Sequence, residues 1–164
     1  MVLDPDGPLC GCGQAGHVEA LASRTAMERD IRAALDAGRS SRITELMAQT
    51  ERTTMSAGVI GDAYEAGDPL VREVVQRAQY YLGLAISGCV NLFDPEVIVV
   101  GGGVLERMGE AYLEPVRAVA QRHYINKNDL DKVRIIRASL GDASGAVGAA
   151  VLAHHRLSKG KASG

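Results

Sequence analysis

The stretch Asp94-Pro95-Glu96-Val97-Ile98-Val99-Val100-Gly101-Gly102-Gly103 decides the fold class. Asp-Pro-Glu is a turn, the β-branched run Val97 to Val100 is too short for a helix, and the glycines end it. A continuous apolar run of this kind reads as a strand buried on both faces, as in parallel sheets. Glycines directly after a buried strand let a ligand approach the backbone, and the N-terminus of the helix that follows attracts anionic groups. A plain tight strand-to-helix turn has the same sequence, so both readings stand at this point.

Outward from this stretch, the elements alternate. Before it, Asp68 and Pro69 read as the N-cap and first residue of a long helix to about Leu92, because proline loses nothing where the amide has no partner. Leu70, Val74, Ala78, Tyr81, Leu82, Ala85, Ile86 and Val90 give that helix its apolar face. After the glycines, helical patterning resumes over Leu105 to Ala120, Val133 to Ile136 offers a second strand, and Gly141-Asp142-Ala143-Ser144 turns into a small-residue helix from Gly145 to about His155. Two strands joined through a helix form an α/β unit, which pairs in parallel by a helical crossover.

Upstream, Val59 to Ala66 reads as a short helix stopped by Gly67, and Arg39 to Gly58 as a helical turn with a surface connection. His17 to about Ala37 has helical spacing, with Ser23 as a cap between two short helices and Gly38 as the stop. The segment before it holds Pro5, Gly7, Pro8, Gly11, Gly13 and Gly16, too many breakers for a regular element, and reads as a loop needing external stabilisation. The expected division is 1–55, a loop and helical segment; 56–157, an α/β lobe; and 158–164, a flexible tail.

Composition narrows the functional classes. A chain of 164 residues, 46% hydrophobic with a net charge of −2, is long enough for a cored globular domain. Its mild acidity and lack of a basic run argue against direct nucleic-acid binding. No apolar stretch has membrane-spanning length and no basic-then-apolar leader opens the sequence, so a cytoplasmic protein is expected. Three cysteines do not make a secreted disulfide framework. Cys89, inside an apolar helix, reads as a small hydrophobe.

The segment Cys10-Gly11-Cys12-Gly13-Gln14-Ala15-Gly16-His17-Val18-Glu19 has the sharpest chemistry. Zinc prefers soft or borderline donors in a tetrahedron, and two thiolates and an imidazole can converge on one ion if glycines fold the loop tightly. Two free cysteines on a flexible loop are the plain alternative. Glu19 in a first helical turn is well placed against the helix dipole, which is reason enough for a carboxylate there without a ligand. In Gly141 to Ala150, small residues on one face suit close packing on the sheet better than ligand contact. His123, His154 and His155 have no partner pattern and read as surface or partly buried residues.

The first of these segments resembles the signature CxCGxxG(C/H)xE of the ROK family (repressor, open reading frame, kinase). The Asp94 to Gly103 stretch is similar to the family's nucleotide-site glycine turn, and Gly141 to Ala150 to its closing GxxxGxxGAA segment. All three occur in the family's order, and the resemblance covers roughly Asp4 to Ala153. It implies the C-terminal lobe of an actin-like, ribonuclease H-like fold from a glucokinase-like sugar kinase that uses ATP and Mg²⁺. Cys10, Cys12 and His17 become structural zinc ligands, with a fourth ligand, a histidine, a dozen or so residues upstream, so the site in this chain is incomplete. Glu19 becomes an acceptor for sugar hydroxyls, and Gly101, Gly102 and Gly103 shape the adenosine pocket.

The resemblance also places the phosphate-binding DxGxT loop, the general-base Asp and the ExGH segment in an N-terminal lobe before Met1. No catalytic residue is expected in this chain, and it is expected to be inactive alone. Glucose or a related hexose is the implied substrate, and a homodimer the implied assembly. The same family includes sugar-sensing repressors with an N-terminal helix-turn-helix, so a repressor's sugar-sensing domain is the alternative. A zinc-stabilised interaction module without ligand is a third reading.

Overall fold

The structure is a computed structural model that describes residues 1–50, 53–128, 130 and 132–160. Its elements run α1 (Val18–Ala22), α2 (Arg24–Asp36), α3 (Ile43–Ala48), α4 (Ala57–Glu65), α5 (Pro69–Phe93), β1 (Val97–Val100), α6 (Gly103–Met108), α7 (Glu110–Arg122), β2 (Arg134–Arg137), a 3₁₀ turn at Gly141–Ala143, and α8 (Ser144–Gly160). The class is mixed α/β and mostly helical. One apolar cluster runs from Met27 and Ile31 through Ile60, Val71, Val75 and Leu113 to Ile135.

Caps set the helix starts as the sequence indicates. The Ser23 hydroxyl accepts from the Ala26 amide at 3.1 Å, separating α1 from α2. Asp68, only 1% exposed, accepts from the Val71 amide at 2.9 Å as the N-cap of α5. The same carboxylate accepts from the Ser41 hydroxyl and the Arg42 amide, tying the start of α3 to the start of α5.

α5 packs against α1, α2 and α7. The crossing with α7 is close at Gly83, where a Cβ would lie 2.6 Å from that of Val119. Pro115 lies inside α7 and has no amide to offer the carbonyl of Ala111 one turn back. The buried Gln79 of α5 supplies the missing donor, its Nε2 bonding the carbonyls of Ala111 and Tyr112 at 3.2 Å each. A polar side chain in the core thus compensates for a proline on the neighbouring helix and fixes the backbone of Tyr112.

Four expectations are corrected. The helix expected over Leu105 to Ala120 is two helices, because Gly109 takes φ 58° and ψ −131°, a conformation closed to residues with a Cβ. The strand expected to be buried on both faces has one covered face. β1 and β2 pair in parallel with Val97 opposite Arg134 and Val99 opposite Ile136. Ile98, Val100 and Ile135 join the core, whereas Val99 and Ile136 are 61% and 39% exposed. Nothing among the described residues covers that second face, since α8 packs mainly on the preceding 3₁₀ turn. For the same reason the small residues of α8 do not pack on the sheet: a Cβ at Gly145 or Gly148 would meet nothing within 4 Å. α8 continues to Gly160, past the point where the tail was expected to begin, and 161–164 lie outside the described residues.

Candidate functional site

The loop before α1 holds itself together through its own backbone. The amide of Leu3 donates to the carbonyl of Gly16 at 2.8 Å, that of Gly16 to Pro8 at 2.9 Å, and that of Cys10 to Gln14 at 2.8 Å. Residues 1–16 therefore form a knot of short hydrogen bonds rather than the loop in need of outside support that their composition suggests. Gly16 is its keystone: with φ +66°, any Cβ there would lie 1.4 Å from the carbonyl oxygen of Asp4.

This knot brings Cys10, Cys12 and His17 together, with one donor atom of each within 4.8 Å of the others. Cys12 Sγ lies 3.2 Å from His17 Nδ1. Donor atoms of tetrahedral zinc with Zn–S of about 2.3 Å and Zn–N of about 2.0 Å stand roughly 3.5 Å apart, so this donor set and spacing fit zinc. His17 is also the residue before α1. Glu19 follows two residues later, exposed in the first turn.

Glu19 lines a cleft of about 330 Å³ together with Val18, Ser23, Arg24, Leu82, Tyr112 and the turn Gly101, Gly102 and Gly103. The structure thus brings together two predicted ligand-binding groups separated by some eighty residues of sequence. Gly102 has φ 139° and nothing within 4 Å of where its Cβ would be, so the turn's backbone is open to a ligand. On its other side Glu19 borders a second depression with Cys10, Cys12, Ser23 and Arg29. The predicted metal ligands and the predicted sugar acceptor are therefore neighbours, and the glycine turn lies across the first cleft.

Three further lining residues escaped the sequence reading. Leu82 of α5 and Tyr112 of α7 come to the cleft only through the packing of those helices, and no local motif marks them. Arg24 carried a signal, as a cation five residues after Glu19 beside the Ser23 cap. Tyr112 is 3% exposed, and burial pushes its phenol up to about 12, so it stays neutral at ordinary pH. Among the described residues, none of the Gly141 to Ala150 segment lines this cleft. Cys89 is half-buried and free, and His123 is exposed, with Nδ1 2.8 Å from the carbonyl oxygen of Val119. Among the described residues, no helix is long and apolar enough to cross a membrane.

The chain is similar to several known proteins. A glucokinase of Thermotoga maritima is 31% identical over 157 residues, covering 96% of this chain and 48% of the relative. The crystal structure of a ROK family glucokinase from Streptomyces griseus in complex with glucose and AMPPNP superposes with a TM-score of 0.75 at 30% identity, covering 93% of this chain and 49% of that one. A DNA-binding transcriptional dual regulator of Escherichia coli is 30% identical over 162 residues, covering 96% of this chain and 36% of the regulator. The chain spans half or less of the length of these relatives. The sequence profile of the ROK family matches residues 1–156, and the chain belongs to the ROK family.

Proposed function

We propose that the chain is the C-terminal lobe of an ATP-dependent hexose kinase with an actin-like fold, in which Glu19 holds the sugar and Gly101 to Gly103 receive the nucleotide. The observation that carries this reading is their meeting on one cleft of about 330 Å³. A carboxylate is an acceptor-only group suited to sugar hydroxyls, and an exposed glycine backbone suits the close approach of a nucleotide. The likeness to a glucokinase solved with glucose and AMPPNP supports the same ligand classes.

Among the described lining residues, Glu19 is the one carboxylate. With Glu19 occupied by sugar hydroxyls, the base for proton removal and the phosphate cradle come from a second lobe, and this chain positions its substrates without completing phosphoryl transfer. Mg²⁺ would accompany the nucleotide phosphates and neutralise part of their charge, and we assign it no ligand in this chain. Cys10, Cys12 and His17 would hold zinc, which cross-links the loop to the start of α1 when bound.

A sugar-sensing role in a repressor is the second reading, supported by the Escherichia coli regulator's 30% identity over 162 residues. Both readings use Glu19 for the sugar, and only the kinase reading requires nucleotide at the glycine turn. Calorimetric titration of the chain with glucose and, separately, AMPPNP tests them. Binding of both supports the kinase reading, glucose alone supports the repressor, and neither contradicts both. Glu19→Gln keeps the side chain's size and removes its charge. It is expected to weaken glucose binding at least about tenfold, the scale of a charge-assisted hydrogen bond, without changing AMPPNP binding.

A further inference from the structure

Among its described lining residues the cleft holds one cation, which the reading above leaves unused. Arg24 begins α2, directly after the Ser23 cap, and lines the cleft with Glu19 and the glycine turn. Its Nη1 is fixed from behind, donating to Glu28 Oε2 at 2.7 Å and to the Met55 carbonyl at 2.5 Å. Nη2 and Nε have no hydrogen-bond partner among the described residues. The guanidinium is thus held in place with part of its donor fork to spare.

Glu28, whose side chain is 12% exposed, is shared between Arg24 and Arg32, both at 2.7 Å. Of these two guanidiniums only that of Arg24 lines the cleft among the described residues, where Glu19 is the one carboxylate. Tyr112, which is 3% exposed, also lines the cleft. The remaining wall is apolar, formed by Val18, Leu82, Val100 and Leu105. A fixed cation and an open glycine backbone around an apolar floor suit a ligand with a flat or ring-shaped body and an anionic end.

We propose that Arg24 is a specificity-determining residue that makes this cleft select phosphorylated over unphosphorylated ligands, by donating through its free guanidinium edge to a phosphate oxygen. This rests on the reading of the cleft as the ligand site. The phosphate belongs to a nucleotide or to a phosphorylated sugar, and the guanidinium is the same for both.

The test measures binding of adenosine, AMP, glucose and glucose 6-phosphate to the whole chain by calorimetry, for wild type, Arg24→Gln and Arg24→Lys. Wild type is expected to bind at least one phosphorylated ligand about tenfold or more tighter than its unphosphorylated counterpart, the scale of a charge-assisted pair. Preference within the adenosine pair assigns the phosphate to a nucleotide, and within the glucose pair to a sugar phosphate. Arg24→Gln is expected to abolish the preference, and Arg24→Lys to restore part of it. Circular dichroism confirms folding, and the lysine variant carries the comparison if loss of the Met55 bond unfolds the glutamine variant. A preference that survives Arg24→Gln, or equal wild-type binding of each pair, overturns the assignment while leaving the cleft reading intact. Failure of wild type to bind any of the four overturns the cleft reading and the assignment together.

Discussion

At the scale of single residues, the chemistry depends on how tightly the loop before α1 is tied. Gly16 lets the chain pass against the Asp4 carbonyl, and this contact sets His17 opposite Cys12. Three donors close on one point, but zinc prefers four, and affinity falls with each ligand that solvent must replace. The chain is therefore expected to bind zinc and to lose it on dialysis against a mild chelator, with Cys12→Ser abolishing binding. Metal analysis before and after dialysis checks this. Stoichiometric zinc after dialysis would contradict the open-shell account, and no zinc under any condition would contradict the metal reading itself.

At the scale of elements, Asp68 links two helix starts, and its ionisation gives that link a pH dependence. Burial opposes its charge, but donors from Val71, Ser41, Arg42 and Leu70 together outweigh burial and hold the carboxyl below its ordinary value. A carboxyl with a depressed folded pKa adds stability above its unfolded value, about 3.9, and that stability is lost as pH falls through the folded value. Asp68→Ala is expected to cost about 2 kcal/mol at pH 7 in urea unfolding, the sum of a cap and a charged hydrogen bond. The gap from wild type should narrow below about pH 4. A gap that stays constant with pH would mean that the carboxylate's charge plays no part.

These elements differ in how far the sequence discloses them. Asp68-Pro69, Ser23 and the run Val97 to Val100 are local signals, and each marks an element where the structure has one. The break at Gly109 was not legible, because a lone glycine in a helical pattern is usually tolerated and only its φ of 58° reveals the turn. The exposed face of β1 was not legible either, because a β-branched run looks the same whether one face is covered or both. The metal donors were readable because they lie within eight residues of one another. The meeting of Glu19 with the glycine turn depends on α1 packing against α5, a tertiary event without a local pattern.

At the scale of the whole molecule, the core is continuous, but two apolar surfaces stay open. Val99 and Ile136 on the sheet are joined by Val147, Val151, Leu152 and Leu157 along α8 as exposed large residues. Most of α5, by contrast, is covered, and of its large apolar residues Tyr80, Leu92 and Phe93 are exposed. Exposed apolar patches larger than roughly a few hundred Å² usually find a partner, and the homodimer that the family resemblance implies would cover these through α8 and the sheet face, since most of α5 is already covered. Sedimentation equilibrium at micromolar concentration is expected to give a dimer that Leu152→Asp weakens, and a clean monomer would rule that assembly out.

The central claim is that Glu19 and the turn Gly101 to Gly103 form one ligand site. At 17.3 kDa the chain is small enough for amide-resolved NMR, which reads both ends of the cleft in one experiment. Titration with glucose and then AMPPNP is expected to shift the amides of Glu19 and its neighbours first, and those of Gly101, Gly102 and Gly103 second. Shifts confined to other surfaces, or none at millimolar ligand, would contradict the account.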